Sequence, residues 1–225
     1  RLIRAERVAA WRDIARRIAH EIKNPLTPIQ TSIETMRKVH ARRHPDFDEI
    51  FEESTVTILE EVARLGRIVG EFSRFARLPR PEPVEREVSD IARHVVGLHA
   101  GGPVAVRLLV EDEPPPVMAD REQLTQVLVN LVQNAAEAAE AAHGPGGGHV
   151  DVIVSPAPEG VRLEVVDDGP GIAAEEQARI FEPYFTTKSG GTGLGLAIVR
   201  RIVGDHGGRI DVDDAEGGGA VFEVV

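Results

Sequence analysis

Apolar or small residues recur along the first stretch of the chain at alternating spacings of three and four: Val8, Trp11, Ala15, Ile18, Ile22, Pro25, Ile29, Ser32, Met36 and Val39. A second stretch repeats the pattern through Phe51, Thr55, Ile58, Val62, Leu65, Val69, Phe72 and Ala76. A spacing that averages about 3.5 residues over several turns is a heptad seam, so two long helices are predicted. His44-Pro45-Asp46 between them reads as a turn. A lone two-helix hairpin leaves each apolar stripe half covered. Pairing two copies into a dimeric four-helix bundle covers both.

Leu78-Pro79-Arg80-Pro81-Glu82-Pro83 cannot continue a helix, and its alternating prolines favour an extended connector. The predicted domains are therefore 1–82 and 83–225. Beyond the connector the pattern mixes periods. Ser89 is the expected cap of a short helix to about His99, followed by a strand over Val104–Val110. Asp120 with Gln123 makes a capping-box pattern that opens a long helix to about Ala142. Val150–Val154 and Val161–Val166 alternate as strands and predict an antiparallel pair, with Gly144–Gly148 before them a flexible loop. Leu194–Asp205 reads as a helix, Arg209–Val212 and Ala220–Val225 as closing strands. Strands with helices on one face make an α/β sandwich.

Charge divides along the same boundary. Residues 1–82 carry 16 Lys and Arg against 13 Asp and Glu, and residues 83–225 carry 10 against 24, within a net charge of −11 for the 225 residues. The acidic part is a poor nucleic-acid binder, and none is expected as a partner. If it takes a polyphosphate, a cation, backbone amides or a helix terminus must supply the attraction. Acidic residues interleave with Arg16-Arg17 and Arg42-Arg43, which fits solvated helix faces better than a DNA-binding surface. The absence of cysteine excludes disulfides and thiolate chemistry. No apolar run is long enough to span a bilayer and no signal peptide opens the chain, so a cytoplasmic portion is expected, with sensing elements and any membrane anchor before Arg1.

With Val8 at heptad position a, His20 falls at f, away from the seam, and Asn24 and Thr27 share its exposed face. An exposed imidazole is largely neutral and nucleophilic near pH 7, and the adjacent Glu21 can orient it. Pro25 and Pro28 fall in the next turn, where each costs a regular helix interior about 3 kcal/mol.

Four segments in the second domain bear on a nucleotide. Asn130 and Asn134 lie one turn apart on the long helix, and their amide oxygens are hard ligands suited to Mg²⁺. Asp167-Asp168-Gly169-Pro170-Gly171 ends a strand, where a carboxylate can accept from an exocyclic amine. Two acidic residues before the glycines, and no surrounding βαβ unit, argue against a dinucleotide fingerprint. Ile180-Phe181-Glu182-Pro183-Tyr184-Phe185-Thr186-Thr187-Lys188 follows. Last comes Gly190-Gly191-Thr192-Gly193-Leu194-Gly195, whose glycines precede a helix and expose backbone N–H groups to an anion. Lys188 can reach a terminal phosphate, but Thr187 before it excludes a P-loop.

The string Ala19-His20-Glu21-Ile22-Lys23-Asn24-Pro25-Leu26-Thr27-Pro28-Ile29 resembles the phosphoacceptor box of bacterial sensor histidine kinases, most closely the nitrogen-regulation NtrB/NtrY type. The four later segments resemble, in order, the asparagine, first glycine, phenylalanine and second glycine boxes of the GHKL (Bergerat) ATP-binding fold. The resemblance covers about residues 10–225. It implies that His20 accepts a phosphoryl group from ATP, that Glu21 is its base or orienting partner, and that Asn24 positions water for dephosphorylating a response regulator. It further implies Asp167 at the adenine amine, Asn134 as the main Mg²⁺ ligand assisted by Asn130, and Gly169 and Gly171 shaping the adenine turn. Lys188, Gly191, Thr192, Gly193, Leu194 and Gly195 would line the phosphate site, with Phe181 and Phe185 anchoring a mobile lid between Ile172 and Gly191. A homodimer and a cognate, NtrC-like response regulator are the implied partners. Asp168 stands where the family more often has Asn, and its added negative charge is expected to weaken ATP binding slightly. Two other functions compete. A gyrase-like or Hsp90-like ATPase would need a glutamate at position 130, where Asn130 is a poor base; a non-catalytic scaffold would not need the motifs intact.

Overall fold

The computed structural model describes residues 2–77, 79–158, 160–188 and 191–225, with the backbone alone for 2–20, 67, 71–72 and 74–77. Contacts divide the chain into two compact units: 1–78 with 186–192, and 79–185 with 193–225.

In the first unit, helix α1 (Leu2–Ala41) packs along helix α2 (Phe47–Arg77). The predicted turn lies between them. Arg43 adopts a left-handed φ of 48°, the His44 amide bonds back to the Val39 carbonyl, and the His44 ring accepts from the Asp46 amide. From Ile22 onward the α1 seam is as read: Ile22, Ile29, Ser32, Met36 and Val39 are half-buried and Pro25 is buried. Val8, Trp11, Ala15 and Ile18 have side chains outside the described residues. On α2 the predicted seam is covered in part: Thr55, Ile58 and Leu65 are half-buried beside buried Ser54 and Ile68. Phe51, Val62 and Val69 are 43%, 52% and 50% exposed within one chain, and the side chains of Phe72 and Ala76 lie outside the described residues. A single hairpin covers only the flank of α2 that faces α1, so the other flank of its apolar stripe stays open.

The second unit opens with a short strand β1 (Val84–Arg86), paired antiparallel with β3 (Val117–Ala119), an element the periodicity does not predict. Helix α3 (Val88–Leu98) starts two residues earlier than expected, with Glu87 at the cap position and no side-chain cap, so Ser89 is not the cap. Strand β2 (Ala105–Val110) runs parallel to β4 (His149–Ala157), pinned by a bidentate Arg107–Asp151 pair at 2.7 and 2.9 Å across the register. Helix α4 (Arg121–His143) begins as predicted, since the Asp120 carboxylate accepts from the Glu122 and Gln123 amides. The reciprocal half of the capping box is absent: Gln123 Nε2 donates to the Pro79 carbonyl in the connector. After α4 the glycine stretch is a hydrogen-bonded turn, with the Gly144 amide on Glu140 and the Gly147 amide on Gly144.

Strand β5 (Gly160–Asp167) forms the expected antiparallel pair with β4. A single turn α5 (Ala174–Gln177), helix α6 (Gly195–Asp205) and strands β6 (Ile210–Asp214) and β7 (Ala220–Val224) complete the order β2-β4-β5-β7-β6. The sheet is antiparallel apart from β2–β4. Alternate residues Val150, Val152, Val154, Leu163 and Val165 are buried, as are Ile91 and Val95 of α3, Val127, Leu128 and Leu131 of α4 and Ile198 and Ile202 of α6. Each such side chain contributes about 1.5–3 kcal/mol by leaving water. The period of two continues from Leu163 and Val165 to Asp167, and puts that carboxylate on the buried side of the strand end.

Candidate phosphoacceptor and nucleotide sites

The backbone of His20 lies within α1; its side chain lies outside the described residues. Glu21 beside it is half-buried and Asn24, one turn on, is exposed. Pro25 and Pro28 lack the amide hydrogens that would reach the Glu21 and Asn24 carbonyls, yet α1 continues through both. Two hydroxyls bond backbone here: Thr27 Oγ1 donates to the Lys23 carbonyl at 3.3 Å and Thr31 Oγ1 to the Thr27 carbonyl at 3.0 Å. The apolar side of this turn rests on buried Pro25, while Lys23, Asn24 and Thr27 face solvent.

In the α/β unit Asp167 is 3% exposed. Its Oδ1 accepts from the Gly169 amide at 2.9 Å and from the Ala220 amide at 3.3 Å, so two backbone donors from different elements fix the carboxylate's orientation. The Ala220 contact was not foreseen from sequence. It spans 53 residues, and its only local signal is the glycine run Gly217-Gly218-Gly219 just before β7.

Asp168 points elsewhere. Its Oδ1 accepts from the His149 amide at 3.0 Å, and its Oδ2 lies 2.7 Å from His149 Nδ1 and 3.4 Å from His143 Nε2. Burial works against its charge, but the His149 amide and the two imidazoles outweigh it and hold the Asp168 carboxyl below the usual carboxylate range.

Asn130 and Asn134 lie on α4, both half-buried. Asn130 Nδ2 reaches the Gly195 carbonyl at the first turn of α6, at 3.5 Å, so the asparagine helix and the second glycine segment meet there. Leu194 is buried and precedes α6 without a side-chain cap, so an external anion could take that role for the first-turn amides. Gly193 adopts φ 66°, and a Cβ there would lie 2.5 Å from the Tyr184 carbonyl carbon; only glycine fits. The Gly193 carbonyl in turn accepts from the Tyr184 amide at 2.8 Å, which ties the phenylalanine segment to the glycine segment. Phe181 packs edge-on against Phe222 of β7 at 6.4 Å, and the Arg179 guanidinium lies over the Phe185 ring at 4.5 Å. Lys188, Gly191 and Thr192 fall in the 186–192 stretch that groups with the helical unit. There the Thr186 hydroxyl accepts from the Lys188 amide, and Lys188 is exposed. Among the described residues no helix is long and apolar enough to cross a membrane.

A helical hairpin carrying a His-Glu-x-x-Asn turn is followed by a mixed sheet with a buried carboxylate at one strand end. The family model described as "His Kinase A (phospho-acceptor) domain" matches residues 10–81, and that of "Histidine kinase-, DNA gyrase B-, and HSP90-like ATPase" matches residues 119–225. The chain is 45% identical over 97% of its length to nitrogen regulation protein NtrY of Azorhizobium caulinodans, covering 29% of that protein. It is similar to the solved catalytic domain of histidine kinase ThkA, at 36% identity and TM-score 0.57, covering 64% of this chain and 93% of that one. It is also similar to ThkA in complex with response regulator protein TrrA, at 33% identity and TM-score 0.76, covering 98% of this chain and 63% of that one. The chain belongs to the sensor histidine kinases, and within them it is similar to the NtrY group. It spans less than half the length of the curated relatives it matches, NtrY and the sensor kinase ZraS of Escherichia coli (strain K12) among them.

Proposed function

We propose that this chain is the kinase core in which ATP, held in the α/β unit, phosphorylates His20, and from which the phosphoryl group passes to an aspartate of a response regulator. The observation that carries the reading is Asp167: a carboxylate buried at a strand end and oriented by two backbone amides, on the unit whose α4 bears Asn130 and Asn134. In the transfer a ring nitrogen of His20 forms a bond to the γ-phosphorus, the bond to the β–γ bridging oxygen breaks, and ADP leaves with that oxygen. Glu21 orients the imidazole. Asn24, exposed one turn away, orients water for the reverse task of hydrolysing the regulator's phosphoaspartate.

The donor set fits magnesium: Asn130 and Asn134 offer hard amide oxygens, and among the described residues no cluster of three His, Cys, Asp or Glu could hold a cation unaided. Asn134, with the nucleotide's own phosphates, would hold Mg²⁺, which neutralises charge on the transferred group. Lys188 and the Gly191–Gly195 amides would complete the phosphate cradle, with Phe181 and Phe185 as anchors of the lid. Phe51, Val62, Val69 and the 69%-exposed Leu59 support a homodimer through the open flank of α2. The likeness to the ThkA–TrrA complex supports a response-regulator partner; an NtrC-like one, and a membrane anchor in the full-length protein, are proposed from the resemblance of the phosphoacceptor box alone.

Incubation with γ-labelled ATP and Mg²⁺ tests the reading. Label should appear on the chain, survive base, be lost in acid as a phosphoramidate, and move to a receiver domain on addition. Label that survives acid would place the phosphate on a hydroxyl and remove the histidine assignment.

A further inference from the structure

Asp168 joins three elements that frame the proposed nucleotide site. His143 is the last residue of α4, the helix of Asn130 and Asn134; His149 is the first residue of β4; Asp168 itself follows Asp167 at the end of β5. The His149 amide and ring both meet the Asp168 carboxylate, and His143 Nε2 meets the carboxylate at 3.4 Å and the Asp168 main-chain oxygen at 2.9 Å. Gly148 lets the chain pass this close. Its φ is 78°, and a Cβ there would lie 3.0 Å from Asp168 Oδ1 and 2.9 Å from the Ala139 Cβ on α4. Among the described residues, His149 and His143 are the titratable side chains that bear on the Asp168 carboxyl.

We propose that Asp168 is a positioning residue: through His143 and His149 it clamps the Asp167–Gly171 turn to the C-terminal end of α4 and the start of β4, and so sets the adenine-binding carboxylate relative to the metal asparagines. The inference rests on the nucleotide reading above and reverses the sign expected for Asp168 from sequence. Its negative charge is engaged by two imidazoles on the α4–β4 side, so it supports nucleotide binding. An asparagine here would still accept from the His149 amide but would lose both charged pairs. Each contact is an ion pair only with its imidazole protonated, and the Asp168 carboxyl is held below the usual carboxylate range.

The test is ADP affinity measured by calorimetry on the whole chain at several pH values from about 6 to about 8.5, spanning the range where imidazoles titrate. The ratio of variant to wild-type Kd cancels the titration of ADP itself. Asp168→Asn should weaken ADP by about three- to tenfold at the acid end, as expected for two partly exposed ion pairs, and the ratio should shrink toward the alkaline end. His149→Gln should show the same pH-dependent loss with Asp168 in place. A ratio at or below one, or one independent of pH, would overturn the clamp while leaving the nucleotide site standing. Failure of the wild type to bind ADP at any pH would overturn both.

Discussion

In the helical hairpin the candidate chemistry lies on a solvent-facing turn, and the neighbours of Asn24 are set by helical period alone: His20 one turn before it, Thr27 beside it. In the α/β unit the corresponding carboxylate, Asp167, is nearly inaccessible and takes its orientation from backbone amides two and 53 residues away. On the proposed roles of these residues the difference has a mechanical meaning. A group that must meet two macromolecular partners in turn, a nucleotide-loaded domain and a regulator, has to be exposed and can be carried by local structure. A group that must tell adenine from other bases has to be buried and held on all sides. Substitutions in the hairpin should therefore alter chemistry with little effect on folding or nucleotide affinity. Those in the α/β unit should act through the nucleotide first.

The largest effect that would sharpen this contrast belongs to Asp167→Asn. Replacing an acceptor by a group that is half donor, opposite a buried amine, should weaken ADP by about 1–3 kcal/mol. Calorimetric titration with and without Mg²⁺ checks it, beside Asn134→Ala, whose loss should be larger with the metal than without. Equal losses for Asn134→Ala under both conditions would remove its metal role.

Asn24→Ala should slow hydrolysis of the purified phospho-regulator at least about tenfold, which is about 1.4 kcal/mol of transition-state stabilisation. Autophosphorylation should fall much less, because His20 and Glu21 are untouched. Separate time courses of the two activities read this out, and equal losses would make Asn24 a structural residue of the proline-interrupted turn.

The smallest effect concerns folding alone. Asp120 caps α4 and its other oxygen accepts from the Glu82 amide at 3.0 Å, so Asp120→Ala should cost the α/β unit about 1 kcal/mol in denaturant unfolding. The Glu82 amide is the main influence holding the Asp120 carboxyl below its ordinary value, helped by the Gln123 and Glu122 amides. A folded-state value lowered in this way gives a stabilisation that is complete above the unfolded-state value and fades as pH falls through the folded one. The gap between wild type and Asp120→Ala should close only under acid conditions; a gap that widened on acidification would contradict the cap.

What was legible in the sequence follows the same division. The seam of α1 from Ile22 onward, the turn at 44–46, the Asp120 cap and the segments that the two family models match are patterns of neighbouring residues, and each could be read locally. The covered line of α2 could not, because an apolar stripe does not say which of its flanks meets α1 and which stays open. The β1–β3 pair has three residues a side, too few to show a period. The Ala220 amide on Asp167, and the meeting of His143 and His149 on Asp168, join residues that only the closed sheet brings together. Read as a sequence, Asp168 is an extra negative charge; the folded chain supplies its partners, the His149 amide and the two imidazoles.

The division of labour between the two units is tested most directly by His20→Gln. Incorporation of label from γ-labelled ATP and the Kd for ADP should be measured on the same preparation. The account predicts that label falls to background while the Kd stays at the wild-type value, since the acceptor is on the hairpin and the nucleotide is held in the α/β unit. Label persisting on the variant, or a Kd that changes with it, would contradict the account.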